Sequence, residues 1–227
     1  MPDMISSVGA LFHAVAEHST GSFLGSCFAY RHSSFVLTAA HCVGDLPAQE
    51  LVAVWPGPII RRCVSVSKHA TADVALLTLP PISTQIDCFL QTGSYNALGE
   101  DFYAIGFTEV VTANEQQLPT ARLYKGHFQR FLNYKSFLGY EYAAGEISIP
   151  APGGLSGGPI FLPRDQQTVI AIVAENAQSA AVLDSIEEVM EDGAQYKTLY
   201  QAIIRFGVVV MLSSVSDWLE QQVIVST

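Results

Sequence analysis

A histidine, a serine and an aspartate stand in local settings that suit proton transfer and nucleophilic attack. The histidine, His41, lies in the segment Thr-Ala-Ala-His-Cys (residues 38–42), directly after the apolar residues 35–37. The small residues before it allow the chain to pack closely while the imidazole points into a cleft. A histidine in apolar surroundings also occurs as a satisfied core residue, so His41 taken alone leaves both interpretations open.

The serine, Ser156, lies in the glycine-rich segment Gly-Gly-Leu-Ser-Gly-Gly-Pro (residues 153–159). Glycines on both sides allow the backbone angles and the close approach that a reactive loop needs. The amides of Gly154 and Ser156 can then converge as an oxyanion hole, in which donors point to the place where negative charge develops. The alternative is a Gly/Pro turn with an incidental serine.

The aspartate, Asp73, precedes the apolar run Val-Ala-Leu-Leu (residues 74–77). At such a position an aspartate is usually a turn or capping residue. If it lies near His41, its carboxylate can accept the Nδ1–H, select the tautomer and stabilise the imidazolium.

Together the three segments resemble the trypsin/chymotrypsin-like serine peptidase family, and their order along the chain (His, Asp, Ser) matches that family. The segments that carry the resemblance are Thr-Ala-Ala-His-Cys, Asp-Val-Ala-Leu-Leu and Gly-Leu-Ser-Gly-Gly-Pro. The short spacing from His41 to Asp73 is similar to that of compact bacterial or HtrA-like members, without a PDZ domain. The resemblance implies a serine endopeptidase with Ser156 as nucleophile, His41 as base and Asp73 as orienting partner, acting through an acyl-enzyme on protein or peptide substrates.

The resemblance also implies where substrate side chains bind. By loop position, Pro150 stands at the base of the specificity pocket, Ala174, Glu175 and Asn176 line it and pair with the substrate backbone, and Gly207 forms another wall. The absence of a carboxylate at the base argues against a Lys/Arg preference and favours a small or apolar side chain. Glu175 remains able to contact a basic group.

Two departures from the family concern activation and cross-linking. Leu155 stands where zymogen-type members carry an aspartate that pairs with a newly cut N-terminal amine, so we expect no N-terminal zymogen switch. Cys27 and Cys42 resemble the family's disulfide beside the histidine, although Cys27 is shifted along its strand. Reduced core residues are the alternative interpretation for all four cysteines.

The elements that must position these groups are mostly strands. Short apolar or alternating runs broken by Gly, Pro, Ser and Asn predict an all-β chain, and the family resemblance implies two packed antiparallel six-stranded β-barrels. We predict an N-terminal barrel over residues 1–90, carrying His41 and Asp73, and a C-terminal barrel over residues 91–227, carrying Ser156.

Two segments have helical patterns. Apolar residues within 181–191 follow an i, i+3/i+4, i+7 stripe with acidic residues on the other face, which predicts a helix. We therefore expect a helical insertion over residues 177–204. A second helix is predicted over residues 214–222, capped by Ser214 or Ser216.

The composition of the chain argues against several classes of binding partner. The chain has 227 residues, 49% hydrophobic and 14% charged, with a formal net charge of −10. That charge repels nucleic-acid phosphates and anionic membranes. The apolar runs are too short to span a bilayer. We expect no cofactor and no metal, because neither histidines at zinc-ligand spacing nor a calcium loop occurs.

The N-terminal residues lack a signal-peptide pattern, so we expect a cytoplasmic protein, with a trimmed secreted form as the alternative. A peptidase that has neither a signal peptide nor a propeptide needs another means of keeping its activity inhibited. We therefore predict a regulatory protein partner that acts on the insertion. The competing function is a catalytically silent scaffold that acts as a binding module.

Overall fold

The structure is a computed structural model that describes residues 4–14, 21–57, 59–82, 86–93, 98–108, 119–189 and 195–225. Within these ranges the chain forms two β-sheets, two α-helices and three short 3₁₀ segments. No helix among the described residues is long and apolar enough to cross a membrane. The 3₁₀ segments are Met4–Ser7, Ala48–Glu50 and Leu212–Val215.

The first sheet has the antiparallel order β5-β4-β1-β2-β3-β7-β6. Its two end strands are parts of one bent strand, because Cys63 donates its N–H to Leu51 and Val64 donates its N–H to Thr78 across the bend. With β5 and β6 counted as one strand, the sheet closes into a six-stranded barrel. Its strands are β1 (Val8–His13), β2 (Phe23–Tyr30), β3 (His32–Thr38), β4 (Leu51–Trp55), β5 (Ile59–Arg62), β6 (Ser65–Lys68) and β7 (Ala75–Thr78).

The second sheet has the order β12-β9-β10-β11-β14-β13-β8, and β12 pairs with β13 as well. This extra pairing closes a ring of six strands, to which β8 adds a short parallel edge. The predicted pair of β-barrels is thus confirmed. The strands are β8 (Gln91–Thr92), β9 (Asp101–Thr108), β10 (Thr120–Lys135), β11 (Glu141–Ile147), β12 (Pro159–Leu162), β13 (Asp165–Val189) and β14 (Gln195–Met211).

Apolar side chains from both sheets share one core, which packs the barrels against each other. The rings of Phe28 and Phe89 lie 5.4 Å apart in an edge-to-face contact, and Phe89 lies 5.7 Å from Phe161 of the second sheet. All three rings are fully buried. Each buried aromatic side chain removes a large apolar area from water, so this stack holds the two walls of the cleft in a fixed relation.

The two helices are short. Helix α1 (Ala40–Val43) follows β3 directly, and helix α2 (Ser216–Val225) ends the described chain. The C-terminal helix is confirmed. It packs its buried residue Leu219 into the shared core, and its Glu220 forms an ion pair with Arg31 of the first barrel.

The predicted helical insertion over residues 177–204 is wrong: in the described residues this segment is a β-hairpin formed by β13 and β14. Residues 190 and 191 of the predicted helix lie outside the described residues. A bulge between Val182 and Asp184 adds one residue to β13, so the adjacent apolar pair at 182 and 183 imitates helical spacing. Strand β13 begins at Asp165 within the barrel sheet, and its hydrogen-bonded pairing with β14 continues beyond the barrel. This pairing outweighs the local helical pattern of the sequence.

Candidate active site

The fold holds His41 by its backbone as well as by its ring. The residue lies in α1, behind the fully buried Ala39 and Ala40, which let the turn pack against the barrel. Its backbone N–H donates to Asp73 Oδ1 at 2.8 Å, and its Nδ1 lies 2.6 Å from Asp73 Oδ2. Since an ionised carboxylate only accepts hydrogen bonds, Nδ1 carries a proton.

Asp73 is 2% exposed, and it lies in the turn between β6 and β7. His69 shapes that turn: its Nδ1 accepts the N–H of Thr71 at 3.2 Å and the N–H of Ala72 at 2.9 Å. Burial lowers the pKa of His69, which keeps its ring neutral and able to accept. The ring also contacts Trp218 of α2, with centroids 5.3 Å apart. His69 was assigned no role from the sequence, because its action depends on a turn that pattern analysis does not show.

The electrostatics of the His41–Asp73 pair favour the imidazolium. Burial disfavours the charged ring, but the hydrogen bond to Asp73 and the contact with Cys42 outweigh it and hold the pKa of His41 well above its usual range. The ring therefore stays protonated to a higher pH than a free imidazole, and it can accept a proton only where the pH is high enough to make it neutral.

Ser156 lies in a turn between β11 and β12 whose backbone is tied to both barrels. Its carbonyl accepts the N–H of Ser26 at 2.8 Å, and the next amide, of Gly157, donates to Val173 at 2.8 Å. The Ser156 hydroxyl donates to the carbonyl oxygen of Ala174 at 2.7 Å. Among the described residues the hydroxyl has this one hydrogen bond, so it does not pair with His41 in this structure.

The turn before Ser156 leaves two amides unused. Neither the N–H of Gly154 nor that of Ser156 donates a hydrogen bond to another described residue. Gly154 has φ +90°, and a side chain there would overlap the ring of Phe23. The glycine is therefore required by both its backbone angle and its surroundings.

Ser26 joins the turn to the first barrel, a role that sequence analysis missed. The residue is fully buried, its hydroxyl donates to the Gly154 carbonyl at 2.7 Å, and it accepts the N–H of Phe107 at 2.8 Å. Thr38, three residues before His41, donates its hydroxyl to the Ser26 carbonyl at 2.7 Å. The available signal was a small polar residue inside an apolar strand.

The three residues line one open cleft of about 290 Å³ between the barrels. Of the predicted substrate-binding residues, Ala174, Glu175 and Asn176 line the cleft. Pro150 is exposed and Gly207 pairs with Asn176 on the neighbouring strand; neither lines the cleft. The full lining is His41, Asp73, Ser136, Leu138, Ala151, Pro152, Gly153, Ser156, Ala174, Glu175 and Asn176.

Asn176 and Glu175 give the cleft its polar character. The Asn176 carboxamide accepts the N–H of Ala151 at 2.6 Å and donates to the Ala151 carbonyl, so it bridges the cleft wall. Glu175 Oε1 is buried and has no hydrogen-bond partner among the described residues. Burial raises the pKa of Glu175, a hydrogen bond from Tyr134 opposes this, and repulsion by Asp73 adds to it.

All four cysteines are free thiols, so the Cys27–Cys42 disulfide is not formed. Cys42 Sγ instead lies 3.6 Å from His41 Nε2 and 3.7 Å from the Ser156 carbonyl oxygen. Burial raises the pKa of Cys27, so its thiol stays protonated.

Solved structures of bacterial proteases share this fold. The active form of the Rv3671c protease from M. tuberculosis is 15% identical, with a TM-score of 0.62, over 94% of this chain and 79% of that one. An inactive form of the same protease scores 0.61 at 16% identity, over 96% and 89%. The MamO protease domain from Magnetospirillum magneticum, in its apo form, scores 0.59 at 18% identity, over 98% and 96%. At these identities the likeness concerns the fold, and it does not separate active from inactive states.

A comparison with curated proteins finds no match. A family model described as a trypsin-like peptidase domain matches residues 25–172, which is more than half of the chain and includes the segments of His41, Asp73 and Ser156. The sequence resemblance and the double barrel agree with this match. The chain belongs to the trypsin-like peptidase domain family, whose substrates are proteins and peptides.

Proposed function

We propose that this protein is a serine endopeptidase in which Ser156 attacks the scissile carbonyl, His41 is the general base and Asp73 orients it. The observation that carries the proposal is the double hydrogen bond from His41 to the buried Asp73, in a cleft that Ser156 also lines. A carboxylate that accepts Nδ1–H leaves Nε2 of the neutral ring to take the hydroxyl proton, once it gives up its 3.6 Å contact with Cys42 Sγ.

The reaction begins with a rotation of the Ser156 side chain. Its hydroxyl leaves the Ala174 carbonyl and turns about χ1 toward His41 Nε2. His41 takes the proton as the oxygen attacks, and it returns the proton to the leaving amine. Water then releases the acyl-enzyme by the same route in reverse.

The free amides of Gly154 and Ser156 supply the oxyanion hole in this proposal. Each N–H lacks a partner among the described residues and can donate to the tetrahedral oxygen. A small side chain before the scissile bond fits best, because Asn176 bridges to Ala151 across the wall of the cleft.

Activation without an N-terminal zymogen switch is also part of the proposal. Leu155 is fully buried in an apolar cluster, where it cannot pair with a terminal amine. A regulatory protein partner and a cytoplasmic location remain predictions from the sequence.

The test is labelling by a fluorophosphonate probe, which reacts with activated serines. We expect the wild-type protein to be labelled and Ser156→Ala to be blank, with peptide hydrolysis reduced by about 10⁶ in kcat. Equal labelling of both proteins would contradict the assignment of Ser156.

One observation favours a second candidate, the silent binding scaffold: the Ser156 hydroxyl is engaged by the Ala174 carbonyl instead of by His41. In that case the folded wild-type protein stays unlabelled even above the raised pKa of His41, about 10, where the ring is neutral, although it still binds unfolded polypeptide. Labelling of wild-type protein alone excludes this candidate.

A further inference from the structure

One edge of strand β13 is unpaired from the cleft outward. Within the barrel β13 pairs on this side with β12, up to Ile172, and Val173 exchanges backbone hydrogen bonds with residues 157 and 158. In the described chain, residues 175–189 of the same strand pair with β14 alone. The exposed edge therefore starts at the Ala174 carbonyl that contacts Ser156 and continues to the end of β13 at Val189, about 50 Å away.

The hairpin beyond residue 176 carries several apolar side chains that the other described residues do not cover. Val182, Leu183, Ile186 and Ile203 are 57%, 71%, 43% and 62% exposed. The register places Val182 opposite Gln201, on the same face as Ile203, whereas Ile186 faces the other way opposite Thr198. A two-stranded ribbon is marginal alone, and a third strand would satisfy its edge and cover part of both apolar faces.

The family resemblance already implies that substrate backbone pairs with residues 174–176 beside Ser156. We propose that the site continues beyond them: an extended, unfolded polypeptide whose scissile bond lies at Ser156 adds as a third strand along the hairpin part of β13, from Ala177 toward Val189. The inference rests on the proposed function and deepens it by naming the substrate class. The occupant is a substrate chain because the free edge is continuous with the cleft. The outer edge of β14, by contrast, meets the backbone of Ile149, away from Ser156.

Backbone pairing of this kind holds a peptide by its main chain, so it accepts many sequences and requires an unfolded segment. Charge adds a preference. Asp184 is exposed on β13, whereas Glu187 forms an ion pair with Lys197 of β14 at 2.7 Å. Since the chain has a net charge of −10, segments with basic and apolar side chains pair best.

The first test shortens the hairpin. Ser179 and Ile204 lie directly opposite each other, so replacing residues 180–203 by Asn-Gly closes the ribbon with a two-residue turn. The substrates are reduced, carboxamidomethylated lysozyme, which is unfolded and basic, and a short peptide ester. We expect kcat/KM for the lysozyme chain to fall by roughly tenfold or more, with ester hydrolysis and fluorophosphonate labelling within about twofold of wild type.

A matched pair of point variants tests the same inference even if the shortened protein misfolds. Val182→Lys places a positive charge on β13, about 5 Å from a substrate strand added at its edge. Ile203→Lys places the same charge on the same face of β14, about 10 Å from that substrate strand. We expect Val182→Lys to lower lysozyme cleavage by about twofold to fivefold and Ile203→Lys to change it less. Equal effects of the two variants would overturn the edge geometry.

Binding separates this inference from the proposed catalysis. In the Ser156→Ala background, fluorescent unfolded lysozyme is titrated into proteins with the full and the shortened hairpin. Weaker binding by the shortened form supports the inference even if the fluorophosphonate probe labels no protein. Absence of labelling would contradict the proposed catalysis and leave the binding inference standing. Equal binding of unfolded lysozyme by the two forms, or unchanged cleavage of it, would overturn the inference. A wild-type dimer that becomes monomeric when the hairpin is shortened would also overturn it, because a second copy of the chain would then cover the edge.

Discussion

The two sides of the cleft are assembled to different degrees. On the first-barrel side, His41 is held by two hydrogen bonds to Asp73, which is itself buried and set in a turn shaped by His69. On the second-barrel side, the backbone around Ser156 is tied down, but its hydroxyl points to the Ala174 carbonyl. The proposed base is held by its partner, whereas the proposed nucleophile contacts a carbonyl instead of His41.

The difference has a physical cause. The His41–Asp73 contact joins a buried carboxylate to a backbone amide and a ring, and breaking it would leave a charge without a partner inside the protein. The Ser156 hydroxyl has one rotatable bond and exchanges one hydrogen-bond acceptor for another, at low cost. A substrate that occupies the edge at Ala174 competes for that carbonyl and so favours the rotation toward His41.

Apart from the removal of Ser156 itself, the largest effect is expected from disrupting the contact between His41 and Asp73. Asp73→Asn keeps the size of the side chain but supplies an N–H where an acceptor is needed, so His41 adopts the wrong tautomer. We expect kcat to fall by roughly 10⁴ with the fold intact, measured by ester hydrolysis alongside circular dichroism. Near-normal turnover would contradict the role of Asp73.

A smaller effect is expected from disturbing the backbone under Ser156. Gly157 has φ +86°, and a side chain there would overlap the Ser26 carbonyl and the Thr38 hydroxyl. We expect Gly157→Ala to slow labelling by about a hundredfold because the serine is displaced, and to cost about 1–3 kcal/mol of unfolding free energy more than its control.

The control for that variant is Gly99→Ala. Gly99 has φ +79°, but a side chain there would meet nothing within 4 Å, so it isolates the backbone strain from the overlap. Thermal melts and labelling rates of the two variants are compared. Identical behaviour would show that the contacts of Gly157 with the first barrel are unimportant.

The smallest effect concerns pH. The raised pKa of His41 means that its ring stays protonated to a higher pH than a free imidazole, and labelling needs the neutral ring. We expect the labelling rate to rise with pH through a midpoint above about 6.5, and Asp73→Asn to move that midpoint downward. A wild-type midpoint below that of the variant would contradict the coupling.

The same pair affects stability with a defined sign. A group whose pKa is raised by folding stabilises the folded state fully below its unfolded value, about 6.5 for histidine. This contribution is lost as the pH rises through the folded pKa of His41. The loss should be absent in Asp73→Asn.

Local patterns predicted much of the architecture and failed where a distant strand mattered. Short alternating runs predicted the strands, and a capping serine, Ser214 or Ser216, predicted the C-terminal helix that contains Leu219. The stripe at 182–186 predicted a helix wrongly, because its spacing reflects a bulge in a strand whose partner, β14, lies beyond a turn. Periodicity in a short window cannot distinguish these two origins.

The sequence by itself determined the family, the double barrel and the three segments that carry the candidate chemistry, because each segment is contiguous and their order is characteristic. The tertiary structure alone decided which groups meet. It paired Ser26 with the Ser156 turn, bridged Asn176 to Ala151, left Glu175 Oε1 without a partner and extended β13 as a free edge from the cleft. These features depend on contacts between residues far apart in the chain, and hydrogen-bond satisfaction between such residues is a property of the folded whole.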